Sequence, residues 1–168
     1  MKLYIHDLPE EEFTNIVQVQ EQDVVLSPKR KIQRCFGCYG CWLKTPTECT
    51  IKDDYSTLGR IFSNCDNMVI ISECYYGGFS PFVKGVMDRS LSYLLPYLEI
   101  RNGESRHKLR YENRINTMQA HFYGQHMMEE EKETAKQLLL ANGSQFNTKN
   151  KPTVKFYPSV VEMRGAAL

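Results

Sequence analysis

The stretch Met68-Val69-Ile70-Ile71-Ser72-Glu73-Cys74-Tyr75-Tyr76-Gly77-Gly78-Phe79-Ser80-Pro81 decides the fold of this chain. It begins with a continuous apolar run that has no polar side, the pattern of a central strand in a parallel sheet covered on both faces. Ser80 is placed to cap a helix and Pro81 to open it. That helix is expected to carry Val83, Val86, Met87, Leu91, Leu94 and Leu95, with Pro96 near its end. The same strand–loop–helix order recurs outward in both directions. Toward the start, residues 2–5 and 23–26 read as strands, with a two-turn helix over 9–16 between them. Asp53 or Asp54 then caps a helix whose inward face is Leu58, Ile61, Phe62 and Cys65. Toward the end, a basic connection over 101–111 leads to a strand over 115–122 that finishes in Tyr123-Gly124. A helix over 129–141, stopped by Asn142-Gly143, and a strand over 153–157 complete the pattern. Strands alternating with helix-length crossovers predict an α/β sandwich with a five-stranded parallel sheet.

A second stretch carries chemistry. Cys35, Cys38, Cys41 and Cys49 are four of the six cysteines and fall within fifteen residues, 35–49, spaced C-x2-C-x2-C-x7-C. Three thiols at two-residue gaps can close around one inorganic core, and the longer gap lets a fourth return from across it, as in iron–sulfur sites. Gly37 and Gly40 lie between the thiols, and Phe36, Tyr39 and Trp42 are placed to screen a core from water. Lys29, Arg30, Lys31, Arg34, Lys44 and Lys52 surround the stretch against the single acid Glu48, a field that steadies thiolates. Three readings stay open: a cluster, free or redox-switching thiols, and a structural zinc, although the two usual CxxC knuckles are not both present.

The rest of the chain sets bounds. At 168 residues it is most simply one domain, 1–168, with the cysteine-rich stretch as a long loop. A net charge of +1 offers no nucleic-acid footprint. No apolar run approaches a membrane span. The opening residues are too short and too soon acidic for a secretory signal, so clustered cysteines predict metal or redox work in a cytoplasmic setting. Tyr75 and Tyr76, following an apolar strand and preceding two glycines, are candidate ligand-contacting residues. His6 ends the first strand and is a weaker candidate. His121, Cys65 and Cys74 read as ordinary core or edge residues, and Glu129, Glu130, Glu131 and Glu133 as a solvated helix face.

The stretch from Cys35 to Cys49, then Thr50-Ile51-Lys52-Asp53-Asp54, Tyr75-Tyr76-Gly77 and Lys84…Asp88-Arg89, resembles the flavodoxin-like NAD(P)H-dependent FMN reductases. Within that group it is most similar to iron–sulfur flavoproteins with a compact cysteine motif. The resemblance implies a flavodoxin-like sheet in the order 2-1-3-4-5, FMN at its carboxyl edge, NAD(P)H as electron donor, and a dimer or tetramer. It also implies that the loop Tyr75-Tyr76-Gly77-Gly78 meets the flavin ring, with Ser72 before it and Tyr123-Gly124 at the next strand end along the same edge. Cys35, Cys38, Cys41 and Cys49 match the ligands of a [4Fe-4S] cluster. Loops after the second and third strands leave one edge of such a sheet, roughly 10 Å apart, which would let a cluster and a flavin share electrons.

The first loop departs from the family pattern. His6-Asp7-Leu8-Pro9-Glu10-Glu11-Glu12 stands where the family holds the FMN phosphate, and carboxylates occupy a helix N-terminus that ordinarily welcomes an anion. Any FMN is therefore expected to be held mainly through its ring, by Tyr75, Tyr76 and Gly77, and to be lost easily, unless Lys29, Arg30 or Lys31 folds across the same edge and replaces the missing donors. The functional expectation is an oxidoreductase or electron-transfer flavoprotein passing electrons to a small-molecule or protein acceptor. A flavin-free metal or thiol redox sensor, or an interaction protein on the same scaffold, is the alternative. The aromatics Trp42, Tyr75, Tyr76 and Phe79, expected to be exposed on loops at one edge, point to a homo-oligomer.

Overall fold

A computed structural model describes residues 1–166. Seven strands form: β1 (Lys2–His6), β2 (Val24–Leu26), β3 (Asn67–Glu73), β4 (Leu94–Arg101), β5 (Glu104–Leu109), β6 (Thr117–Tyr123) and β7 (Thr153–Tyr157). Five of them make one parallel sheet in the order β2-β1-β3-β6-β7, which is the order 2-1-3-4-5 when only its own strands are counted. Leu3 pairs with Met68 and Ile5 with Ile70, so the apolar run of β3 lies at the centre of the sheet as its composition demands.

The helices are α1 (Glu10–Thr14), α2 (Gly40–Leu43), α3 (Leu58–Ser63), α4 (Pro81–Arg89) and α5 (Glu129–Gln145). The two faces of the sheet are unequally covered. On one, Leu58 and Phe62 of α3, Val83 and Val86 of α4, and Ala135 and Leu139 of α5 pack on Leu3, Ile5, Met68, Ile70, Ala120 and Phe122. On the other, Tyr4, Val69 and Ile71 are covered by Phe13 of the five-residue α1, by Val17, and by Met163 of a 3-10 turn at Val160–Met163.

Several boundaries differ from the sequence reading. The helix opened by Ser80-Pro81 stops at Arg89, not Leu95, because Ser90 Oγ donates to the Met87 carbonyl and the chain tightens into a 3-10 turn over Ser90–Tyr93. The basic connection belongs to an antiparallel hairpin, β4–β5, reversed at Asn102 and Gly103, whose φ values are 52° and 81°. Two positive φ angles make this a type I′ turn, whose twist suits a two-residue hairpin. Helix α5 runs through Asn142-Gly143 to Gln145, and at Gly143 an added Cβ would come within 2.2 Å of Pro152. That glycine permits close packing on the approach to β7; Asn147, with φ 51°, lies just beyond the helix end. Neither Asp53 nor Asp54 caps α3, which follows Thr57 without a side-chain cap.

The hairpin is turned inside out. Its charged face meets the body, where Arg101 Nη1 donates to the Ser144 carbonyl and Arg106 Nε to Ser144 Oγ. Its opposite face presents Leu98 and Ile100, which are 60% and 75% exposed.

Candidate functional site

The aromatic loop lies at the carboxyl end of β3. Tyr75 and Gly78 exchange both backbone hydrogen bonds at 2.9 Å, with Tyr76 (φ 51°) and Gly77 (φ 75°) between them. This is again a type I′ turn, and a tyrosine at its first central position is held in the left-handed region that non-glycine residues avoid. Gly77 is required twice over, because a Cβ there would also meet Thr134 at 2.8 Å on α5. The turn is therefore pressed down by its glycine while Tyr75 and Tyr76 stand out, 52% and 84% exposed, in an edge-on pair. Gly78 uses its backbone groups within the turn, so a ligand here would meet rings more than main chain. Ser72 is buried behind it, accepting from Ser80 N–H at 2.9 Å and fixing the start of α4.

Asp7 bridges the same edge. Its carboxylate accepts from Glu73 N–H at 2.8 Å and from the Tyr123 hydroxyl at 3.0 Å. Burial and the Asp7 charge push the Tyr123 phenol well above its ordinary value. Gly124 turns away, its N–H donating to the Tyr157 carbonyl, and lines a separate cavity of about 200 Å3 with Tyr157 and Met127. The structure thus gathers Ser72, Tyr75, Tyr76, Gly77, Gly78 and Tyr123 at neighbouring strand ends and sets Gly124 slightly apart.

The first loop does not fit a phosphate dianion. Helix α1 has Glu10, Glu11 and Glu12 in its first turn, and the residue before it, Pro9, gives no side-chain cap and has no N–H. Lys29 reaches this end as a substitute donor, but its ammonium is engaged by Glu10 at 2.6 Å, while Arg30 pairs with Asp54. Next to it lies a cavity of about 430 Å3 lined by His6, Leu8, Phe13, Val25 and Pro28. His6 is buried and stacked on Phe13 at 3.9 Å; burial drives its imidazole down to about 4, so it is neutral at physiological pH.

The cysteine loop is held elsewhere. From the top of β2 the chain descends along α4: a Cβ on Gly85 would come within 3.2 Å of Ile32, and the next turn presents Arg89. The Arg89 guanidinium is fully buried and donates to the carbonyls of Gln33 (3.3 Å) and Ile51 (3.2 Å) and to the Asp53 carboxylate. Trp42 Nε1 donates to the carbonyls of Leu91 and Leu94, beyond the same helix end. The thiols therefore sit by the far end of α4, and the aromatic turn by its near end, about 13 Å of helix apart.

Within the loop, the four thiols lie at different depths. Cys41 is buried, Cys35 and Cys49 are half-buried and Cys38 is at the surface. Burial pushes the Cys41 thiol up to about 11, and the neighbouring thiols of Cys49, Cys35 and Cys38 add to the shift, so the four share one neighbourhood. Cys38 goes the other way: a hydrogen bond with Thr50 Oγ1 at 3.4 Å, and a second from Gly40 N–H, lower it. Arg89 lies against Cys49. This donor set suits a thiolate-held group, yet among the described residues no three His, Cys, Asp or Glu side chains make a group able to hold a metal ion. Closing such a site would require more than one of the four thiols to move. Cys65 is buried, its thiol pushed up to about 12, and Cys74 is half-buried and raised by burial, as expected of packing residues.

Two aromatics expected at the surface are not there. Phe79 is buried and stacked on Phe122 at 5.5 Å, and Trp42 is half-buried against His107. The exposed apolar side chains include instead Phe36, Leu43, Tyr97, Leu98 and Ile100, together with the tyrosine pair. Among the described residues no helix is long and apolar enough to cross a membrane.

An open sheet in this order, with exposed aromatics at its carboxyl edge, defines a flavodoxin-like α/β protein. The chain is similar to an iron–sulfur flavoprotein from Archaeoglobus fulgidus, 33% identical over 73 residues, which is 44% of this chain. The match spans about a third of that relative's length, 32%. Among solved structures, an FMN-dependent NADH-azoreductase from Bacillus anthracis in complex with FMN superimposes with a TM-score of 0.54 at 11% identity, over 96% of this chain and 92% of that one. The azoreductase AzrA also aligns with a TM-score of 0.54 at 11% identity, over 92% and 86%. No protein-family model matches the chain. At 11% identity the two structural matches show a shared flavodoxin-like fold.

Proposed function

We propose that this chain is a redox protein that binds flavin mainly by its ring, at Tyr75 and Tyr76, and is reduced by NAD(P)H. The observation that carries the reading is the tyrosine turn. Two aromatic faces are held out at the carboxyl end of the central strand, one of them in a strained backbone conformation, and such strain gathers at ligand sites. A bound flavin would supply hydride chemistry that no side chain of this edge offers. The chain's own part is positional. Tyr75 and Tyr76 would pack on the ring, Gly77 anchors their turn to α5, and Ser72 and Asp7 hold the strand ends in register.

The first loop disfavours the phosphate of FMN, so FMN is proposed as a weakly retained ligand rather than a resident one. The four-thiol loop is proposed to hold a [4Fe-4S] cluster through Cys35, Cys38, Cys41 and Cys49, which the similarity to an iron–sulfur flavoprotein supports. The exposed apolar side chains of the loop and the hairpin support a homo-oligomer. A second reading, a thiol redox sensor without flavin, is favoured by the carboxylates at α1 and by the separation of the two loops. The absorption spectrum of protein purified without oxygen, with flavin and metal analysis, tests these readings. Flavin bands support the first, iron with sulfide the cluster, and a colourless protein that takes up neither FMN nor riboflavin leaves the sensor.

A further inference from the structure

Asparagine followed by glycine occurs twice in the chain, at Asn102-Gly103 and Asn142-Gly143, and the fold treats the two pairs in opposite ways. In such a pair the glycine has no side chain to shield its backbone nitrogen from the neighbouring amide group. Asn142 and Gly143 lie inside α5, where Gly143 is buried and the Asn142 side-chain amide donates to the Leu138 carbonyl at 2.8 Å. The helix also ties up the backbone N–H groups. Asn102 and Gly103 instead stand exposed at the tip of the β4–β5 hairpin, a sheet of only two strands. Neither the Asn102 side chain nor the Gly103 N–H has a hydrogen-bond partner among the described residues. A Cβ on Gly103 would meet nothing within 4 Å, so the space around its nitrogen is open. A hairpin of two strands is marginal by itself, and its tip opens at little cost.

The surrounding charge favours chemistry here. Asn102 lines a surface cleft of about 240 Å3 with Arg101, Lys149 and Lys151, and no acid lines it. Arg101 is paired with Glu99 and the adjacent Glu104 with Arg106. Lys149 and Lys151, in no ion pair among the described residues, set the local field. We infer that Asn102-Gly103 is a site of spontaneous covalent self-modification. The Gly103 nitrogen loses its proton and attacks Cγ of Asn102, the bond from Cγ to the side-chain nitrogen breaks, and that nitrogen leaves with the proton as ammonia. Water then opens the resulting succinimide ring to aspartate or isoaspartate, with no change of oxidation state. Both the amide anion and the oxyanion formed on attack are steadied by nearby cations. The product supplies the carboxylate that the cleft lacks. Its isoaspartyl form adds a methylene to the main chain of a two-residue turn, which then loses its match to the twist of the strands. The inference needs neither flavin nor metal.

The test holds the full-length chain at neutral pH and physiological temperature for days. Peptide mapping reads the exchange of amide for acid at each asparagine, and an isoaspartyl-directed methyltransferase counts the isoaspartyl form. In the folded chain Asn102 should react on the order of tenfold or more faster than Asn142, whose helix must first open. In urea the two rates should converge. Lys149→Gln with Lys151→Gln should slow Asn102 about two- to fivefold in the folded chain, the reach of exposed charges, and leave it unchanged in urea. Equal rates at Asn102 and Asn142 in the folded chain, or no product at Asn102 while the unfolded chain reacts, would overturn the assignment. An unchanged rate in the lysine variant would overturn the role given to the cleft.

Discussion

Arg89 and Asp53 form a buried ion pair that brackets the cysteine loop. Asp53 also accepts from the N–H groups of Gln33 and Tyr55, and Arg89 donates to the carbonyls of Gln33 and Ile51, so chain on both sides of the four thiols is tied at one point. Burial raises the Asp53 carboxyl, but Arg89 and the two N–H groups outweigh it and hold the group below its usual range. Arg89→Met leaves Asp53 and two carbonyls without their partner and should cost about 3–5 kcal/mol. Thermal unfolding measures the loss, and Asp53→Asn should recover little of it because the carbonyls stay unpaired. An unfolding temperature within a degree of wild type would show that the loop is held by packing alone.

At the proposed flavin site, the first turn of α1 should make riboflavin and FMN comparable ligands. Removing Glu10 and Glu11 as Glu10→Gln with Glu11→Gln frees Lys29 and removes two repelling charges, each worth about 0.3–1 kcal/mol at a helix end. FMN affinity should rise by roughly 3- to 30-fold and riboflavin affinity stay fixed. Fluorescence titration of the two ligands decides it; strong preference for FMN in the unaltered chain would reveal a phosphate site outside this loop.

Thiol reactivity should follow depth and hydrogen bonding. In protein free of metal, Cys38 should be alkylated first, Cys35 and Cys49 next, and Cys41 and Cys65 last, because exposure falls in that order, the Cys38 thiol is lowered and burial raises the deepest two. Thr50→Val should slow Cys38 alone. Peptide mass mapping after brief labelling reads the order, and early modification of Cys41 would contradict the fold of the loop.

Stability should fall in mild acid. His6 and His121 are both driven down to about 4, His6 chiefly by burial and His121 by burial with help from Lys155. Their folded values lie below the unfolded one, so the stability they contribute is complete above about pH 6.5 and drains away as pH falls toward 4. Each group accounts for at most on the order of 3 kcal/mol. Urea midpoints at about pH 7.5 and about pH 5 should differ, and His121→Gln should shrink the difference. Identical midpoints in the wild-type chain would mean that both imidazoles are hydrated in solution.

Much of the sheet was legible because its signals are local. The Met68–Ile71 run, Pro81 opening α4 and the acids opening α5 each express one physical preference, and each is realised, whereas Ser80 stands at the N-cap without making the expected side-chain cap bond. The hairpin was also legible: Asn102-Gly103 is the strongest short signal for a type I′ turn, hidden by reading the charged residues around it as solvated loop. The descent of the cysteine loop was not. It depends on Arg89 meeting Asp53 across 36 residues, a pairing that no periodicity announces. For the same reason Phe79 and Trp42 were misplaced, since their burial depends on Phe122 and on carbonyls beyond α4.

The length of α4 has an evolutionary consequence. Sites separated by more than roughly 7–10 Å and sharing no partners respond to substitution additively. With the tyrosine turn at one end of the helix and the thiol loop at the other, a change in either leaves the other's fitness cost untouched. Selection can therefore discard, repair or retune one chemistry while the second is kept. A degenerate first loop beside an intact set of four cysteines is the kind of sequence such independence allows to persist.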